Sequence, residues 1–170
     1  MGVETAGAYN LIGTVKDLPS MSYAFFRMVG SDECLSVVEH DKEPPTDEDW
    51  CDHYIVDLQA ALKGSFFPAT TIVFTLGGLP TTTQRIALSE MRDRAIELSV
   101  ESRVGVVTPN IITRVASFAI RQFGATSLIA CKDEQSVFDS LGLPDEERKA
   151  VMTIRQSFHR PRVETKEAAI

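Results

Sequence analysis

The stretch Thr70-Thr-Ile-Val-Phe-Thr75-Leu-Gly-Gly-Leu-Pro80 decides the fold of this 170-residue chain. Its first six residues are all β-branched or apolar, which is typical of a strand covered on both faces. Two glycines and a proline then predict a tight turn, and a helical pattern begins at about residue 81. A buried strand that passes through a short turn into a helix indicates a parallel α/β sheet.

Similar units lie on both sides of this stretch. Residues 23–29 and 34–40 predict a strand pair joined by a turn, which favours an antiparallel hairpin. Two further strands are expected at 103–108 and 127–131, and helices at 46–64, 81–98, 109–124, 133–141 and 144–159. We therefore predict an α/β fold with a mostly parallel mixed sheet of about five strands, an N-terminal antiparallel hairpin and flanking helices.

The chain length fits one domain, because domains usually hold roughly 100–200 residues. We expect an extended N-terminal lead-in over 1–20, a single domain over 21–160 and a polar C-terminal tail over 161–170. On folding, a domain of this size buries roughly two-thirds of the surface that its unfolded chain exposes. Its core can therefore be stable without a disulfide or a metal ion.

Composition narrows the classes of partner. The formal net charge of −7 and the lack of a basic stripe argue against nucleic acid. No apolar run approaches the ~18–20 residues that cross a bilayer, so no membrane span is expected. The start of the chain lacks a basic stretch followed by an apolar core, and the three cysteines form no C-x-x-C pair. These features favour a cytoplasmic location.

Two turns are candidate sites, because ligands of open α/β sheets bind beyond the carboxyl ends of the strands. In the first turn, the paired glycines permit close approach of a ligand. The helix that follows starts with three threonine hydroxyls and an arginine, which could bind an anion such as phosphate or carboxylate. One of the hydroxyls could also accept a phosphoryl group. In the second turn, a threonine and an asparagine begin a helix, and an arginine follows one turn later. The candidate residues are Gly77, Gly78, Thr81, Thr82, Thr83, Arg85, Thr108, Asn110 and Arg114.

Purely structural roles explain the same residues without a ligand. A Gly-Gly-x-Pro sequence is a common turn, and threonines often cap helices. Catalytic residues, a metal site and a cofactor are not predicted. The three histidines are far apart in sequence, and both the nucleophile motif G-x-S-x-G and the phosphate-loop pattern are missing. We therefore expect a protein that is not an enzyme.

The chain over residues 23–143 resembles a STAS domain, the anti-sigma-factor-antagonist fold, and more loosely the small SpoIIAA-like proteins of bacteria. The resemblance is carried by the opening strand pair, the strand-turn-helix at 72–85, Val106-Val-Thr-Pro-Asn110 with Arg114, and the closing Asp133-Glu-Gln-Ser-Val-Phe-Asp-Ser-Leu-Gly142. It implies a binding module in which a serine or threonine at the start of the second helix is phosphorylated by a partner kinase. The matching positions are Thr81, Thr82 and Thr83, although Gly-Gly-Leu-Pro-Thr-Thr-Thr replaces the family's usual Asp-Ser-Ser-Gly.

The leading hypothesis is therefore a regulatory or protein-interaction module for signalling. It would dock a protein partner through the turn and helix after the third predicted strand. One alternative is a small-molecule-binding or catalytic domain that holds an anionic ligand between the two turns. A further alternative is a structural subunit whose final helix, over 144–159, serves assembly. The apolar face of that helix, formed by Val151, Ile154 and Phe158, is also explained by packing on its own domain. A homodimer is another alternative.

Overall fold

The computed structural model describes residues 9–63, 70–97, 102–114 and 127–159. Within these ranges the protein has one sheet of six strands in the spatial order β1 to β6. The strands are Tyr9–Asp17, Met21–Met28, Cys34–His40, Thr70–Thr75, Arg103–Val107 and Ser127–Cys131.

The first three strands are antiparallel to one another. β2 and β3 pair with Phe25 opposite Ser36, and the turn between them contains Gly30 at φ +80°. A positive φ of this kind is easily adopted only by glycine. The antiparallel hairpin predicted from residues 23–29 and 34–40 is confirmed.

The strands from β3 onward are parallel. Val37 pairs with Ile72, Ile72 with Gly105, and Gly105 with Ile129. Parallel pairing brings the carboxyl ends of these strands to one edge of the sheet. The loops that follow β3, β4 and β5 therefore begin side by side.

Helices cover both faces of the sheet. A π-helical segment, Glu48–Ile55, continues as α1, Val56–Lys63; α2 is Thr82–Glu97, α3 is Glu134–Leu141 and α4 is Asp145–Gln156. The helical segments over 48–63 pack on a cluster that contains Tyr23, Phe25 and Val38, whereas α3 and α4 pack on Phe26, Leu35 and Ile72. The helix predicted from Thr46 begins at Glu48, and just before it the Thr46 Oγ1 atom accepts from the Asp49 amide at 3.1 Å.

The sheet contains one strand more than the sequence predicted. The additional strand β1 lies within the segment that was expected to be an extended lead-in, and it pairs with β2. Polar and apolar residues do not alternate along it. Its pairing register shifts between Ile12 and Lys16, beside Gly13 at φ +84°. A bulge of this kind obscures the period of two that identifies a strand in sequence.

The apolar face of α4 packs within its own domain. Val151 and Ile154 are buried against the sheet of their own domain, and Phe158 packs partly against the same cluster. Packing within the domain therefore explains this apolar face, which was the second of the two explanations that its pattern allowed.

Some predictions fall outside the described residues. Helical structure after β5 is described only over 111–114, so the remainder of the helix expected at 109–124 lies outside them, as does the tail over 161–170. Among the helices that are described, none is both long and apolar enough to cross a bilayer.

Candidate functional site

The two candidate turns lie side by side at the carboxyl edge of the sheet. They follow β4 and β5, which are neighbouring parallel strands. A Cβ atom added to Gly77 would lie 3.1 Å from Asn110 Nδ2. The structure thus brings residues of the first turn into contact with residues of the second.

The glycine pair is covered by another part of the same chain. A Cβ atom on Gly78 would lie 2.7 Å from Pro44 N and 2.9 Å from Lys42 O. Gly78 also has φ +80°, a conformation that side-chain-bearing residues rarely adopt. The glycines therefore admit the backbone of the loop after β3, in the space that the sequence suggested for a ligand.

Buried polar groups at the ends of β3 and β4 hold this loop. The Nδ1 atom of His40 lies 3.1 Å from the carbonyl oxygens of both Asp41 and Glu43. Since carbonyl oxygens only accept, this nitrogen carries a proton and donates. The Thr75 hydroxyl lies 3.0 Å from Asp41 O and accepts from the Gly77 amide at 3.0 Å. These bonds fix the start of the loop on the turn.

The second attachment of the loop is at the N-terminus of α2. Thr81 caps this helix: Thr81 Oγ1 accepts from Gln84 N at 3.2 Å, and Gln84 Oε1 accepts from Thr81 N at 3.3 Å. This reciprocal pair is a capping box. Thr81 Oγ1 also donates to Asp47 Oδ1 at 2.6 Å, and Gln84 Nε2 donates to Pro45 O at 2.6 Å and to Asp47 Oδ1 at 3.0 Å. A carboxylate of the protein itself therefore occupies the start of α2.

The other two threonines of the first turn have different surroundings. Thr82 and Thr83 are exposed, and so is Arg85. The Arg85 guanidinium donates from Nη2 to Thr82 Oγ1 at 3.0 Å. Of the three predicted hydroxyls, Thr81 is thus part of the helix cap, whereas Thr82 and Thr83 face solvent.

Of the residues predicted in the second turn, two have structural roles and one is partly accessible. Thr108 is fully buried, and Asn110 Oδ1 caps the following helix by accepting from Ile112 N at 2.9 Å and Thr113 N at 3.1 Å. Arg114 is half-buried. Within the described ranges, its Nε atom is buried without a hydrogen-bond partner.

Large apolar side chains close in sequence to the exposed hydroxyls are exposed as well. Leu76 is 43% exposed, Leu79 40% and Ile86 56%. We name the set Leu76, Leu79, Thr82, Thr83, Arg85 and Ile86 the β4–α2 surface. Ile111 and Ile112, 66% and 71% exposed, flank it on the neighbouring turn. Exposed apolar side chains that form a patch often mark interaction sites.

The sequence analysis missed several residues of this site. Gln84 follows Thr81 by three residues, which is the spacing of a capping box and was available as a signal. Ile86 lies off the helical stripe formed by Leu88, Met91 and Ala95, which was a second signal. Asp47 is linked to Thr81 across 34 residues, so no local pattern identifies it.

The strongly shifted pKa values lie away from this site. Burial raises the pKa of the Cys34 thiol to about 11, and burial together with the bond to Asp57 raises the pKa of the Tyr23 hydroxyl. Both groups belong to the core beneath the helical segments over 48–63. In the described part of the chain, His, Cys, Asp and Glu side chains form no group of three suited to a metal ion.

The chain was compared with known proteins. No protein-family model matches the chain, and no curated protein matches it. A solved structure that matches is an uncharacterised protein of the DUF3478 family from Shewanella loihica PV-4, described as having a SpoIIAA-like fold. It is 15% identical, the match covers 76% of this chain and 99% of that protein, and the TM-score is 0.50. This chain has a SpoIIAA-like α/β fold.

Proposed function

We propose that this protein is a regulatory interaction module that docks a protein partner through the β4–α2 surface. The observation that supports this most is the exposure of Leu76, Leu79 and Ile86 next to exposed hydroxyl groups. Apolar anchors surrounded by polar groups are the usual composition of a protein interface. The SpoIIAA-like fold agrees with a binding role by analogy alone.

The arrangement of the glycine turn favours a partner over a small ligand. The space beside Gly77 and Gly78 holds the backbone of residues 42–44, and Asp47 lies at the start of α2. A small anion would have to displace a bonded loop and approach a carboxylate. A macromolecular partner would instead contact the exposed side chains without moving the loop.

Phosphorylation of the threonines is proposed as the regulation of this docking. Thr82 and Thr83 present their hydroxyl groups to solvent, where a kinase can reach them. A phosphate there adds a charge of about −1.5 to −2 beside the apolar anchors, and its desolvation opposes burial in an interface. The expected result of modification is release of the partner.

The proposal is tested by affinity capture with the full-length protein. Thr82→Glu should weaken capture of the partner, and Thr81→Glu should weaken it as well. Val29→Glu, which adds the same charge at a 62% exposed residue outside this surface, serves as the control and should retain capture. Unchanged capture with both glutamate variants would contradict docking at this surface.

An anionic ligand remains the second candidate, favoured by one observation. The half-buried Arg114 has a buried Nε atom with no hydrogen-bond partner in the described residues, and its turn contacts Gly77. An arginine fork is suited to carboxylate or phosphate groups. This candidate places the ligand on the second turn rather than over the glycine pair.

A further inference from the structure

We infer that Thr81, unlike Thr82, controls whether the loop over 41–47 stays attached to the domain. The inference rests on the proposed function and deepens it, because it assigns different consequences to negative charge at two neighbouring threonines, one in the cap of α2 and one in the β4–α2 surface. We name residues 41–47 the β3 loop. It joins β3 to the π-helical segment Glu48–Ile55.

The β3 loop is held at its start by buried side chains and at its end by several bonds, one of which comes from the partly accessible Thr81. Near that end, Ser20 Oγ also accepts from Thr46 N at 2.9 Å. At its start, His40 Nδ1 and the Thr75 hydroxyl bind the carbonyl oxygens of residues 41 and 43. At its end, Asp47 Oδ1 accepts from Thr81 Oγ1 at 2.6 Å and from Gln84 Nε2 at 3.0 Å. The first attachment lies among buried side chains, whereas Thr81 is partly accessible.

Negative charge at Thr81 removes the second attachment in two ways. The hydroxyl proton donated to Asp47 is lost, so that bond disappears. A new anion would then lie beside the Asp47 carboxylate, and like charges at this distance repel. The bond from Gln84 Nε2 to Pro45 O at 2.6 Å and the bond from Thr46 N to Ser20 Oγ at 2.9 Å would remain at the end of the loop.

Negative charge at Thr82 has a different neighbour. Arg85 Nη2 already donates to Thr82 Oγ1 at 3.0 Å, so an anion at this position gains a cationic partner. In the described contacts Thr82 makes no bond to the β3 loop. We therefore expect the loop to remain attached when this threonine carries the charge.

Release of the loop has two measurable consequences. Lys42 is exposed within the loop, close to its start, so trypsin cleavage after this residue reports whether detachment of the Asp47 end spreads to the backbone beside Gly78. Trp50 is the single tryptophan of the chain and is 7% exposed, and its amide donates to Thr46 O at 3.0 Å. Detachment of the preceding loop exposes this indole to a quencher.

The experiment compares full-length Thr81→Glu with Thr82→Glu, using trypsin cleavage after Lys42 and acrylamide quenching of Trp50. We expect cleavage to accelerate about tenfold or more in Thr81→Glu, which corresponds to about 1.4 kcal/mol in the opening equilibrium. Quenching should rise in parallel. Thr82→Glu should stay within about twofold of the unmodified protein in both measurements. Equal behaviour of the two variants would overturn the inference.

A charge-rescue variant separates release of the loop from general destabilisation. Adding Asp47→Asn to Thr81→Glu supplies an amide donor to the introduced carboxylate and should restore slow cleavage. Failure of this restoration would also overturn the inference. If Thr81→Glu does not fold, Asp47→Ala must accelerate cleavage relative to Glu48→Ala, and equal rates in that pair would contradict it. These measurements need no partner, so their outcome is independent of whether capture at the β4–α2 surface succeeds.

Discussion

Glycines with the same backbone conformation differ in what surrounds them. Gly78 and Gly30 both have φ +80°, but only Gly78 has protein atoms where a side chain would be. Gly30 has open space there. This difference allows the conformational role of a glycine to be separated from its role in admitting the β3 loop.

The first prediction uses this pair. Gly30→Ala should cost roughly 1–2 kcal/mol of unfolding free energy, because a left-handed conformation strains an alanine. Gly78→Ala should cost roughly 1–3 kcal/mol more, since the added carbon overlaps the backbone of Lys42 and Pro44. Urea unfolding of the two variants measures the difference. An equal loss of unfolding free energy in the two variants would show that the position of the β3 loop does not require a glycine at residue 78.

A second prediction concerns Glu147 at the start of α4. Burial raises the pKa of its carboxyl, the negative charge of Glu33 raises it further, and Arg103 lowers it. The folded state therefore holds this proton more tightly than the unfolded state. Its contribution to stability is fully present below the unfolded pKa and is lost as pH rises through the folded pKa.

Glu147→Gln should consequently stabilise the protein at pH 7, by roughly 0.5 kcal/mol or less for a partly exposed group. The gain should vanish at about pH 4, near the ordinary pKa of glutamate. Urea unfolding at the two pH values measures it. Glu146→Gln, at the exposed neighbouring position, should not show this pH dependence. A loss of stability at pH 7 would contradict the stated direction.

At the scale of elements, strands and helices that follow from a local sequence pattern were predictable. Hydrogen bonds between residues far apart in the sequence were not. The parallel strand Thr70–Thr75 and the hairpin of β2 and β3 follow from β-branched and apolar runs. The strand Tyr9–Asp17 was missed because a bulge breaks its alternation. The two site turns were located by the rule for strand ends. Their filling by the β3 loop depends on bonds that span more than 30 residues.

Packing of α3 on β5 gives a further prediction. A Cβ atom on Gly105 would overlap the Val137 side chain and lie 2.8 Å from Leu141 Cδ1. Gly105→Ala should therefore cost roughly 1–3 kcal/mol through overpacking. Adding Val137→Ala should recover part of that loss by making room. Urea unfolding of the single and double variants tests this contact, and a neutral Gly105→Ala would contradict it.

At the scale of the whole molecule, two clusters of apolar side chains among the described residues are buried between the sheet and its helices, and α4 buries its apolar face within the domain. The exposed apolar side chains of the β4–α2 surface are a departure from this arrangement. Overall composition could not indicate where such a surface lies, because it depends on which residues the helices leave uncovered. The proposed docking role depends on this surface rather than on the fold.

The most direct measurement compares binding of a captured partner to two charge-insertion variants of the full-length protein. Ile86→Arg changes the β4–α2 surface, whereas Val29→Arg changes a 62% exposed residue next to Gly30, beyond the end of β2. We predict that Ile86→Arg weakens binding at least about tenfold, as expected for truncating or charging an interface anchor, and that Val29→Arg does not. Equal affinity of both variants for the partner would contradict the docking surface.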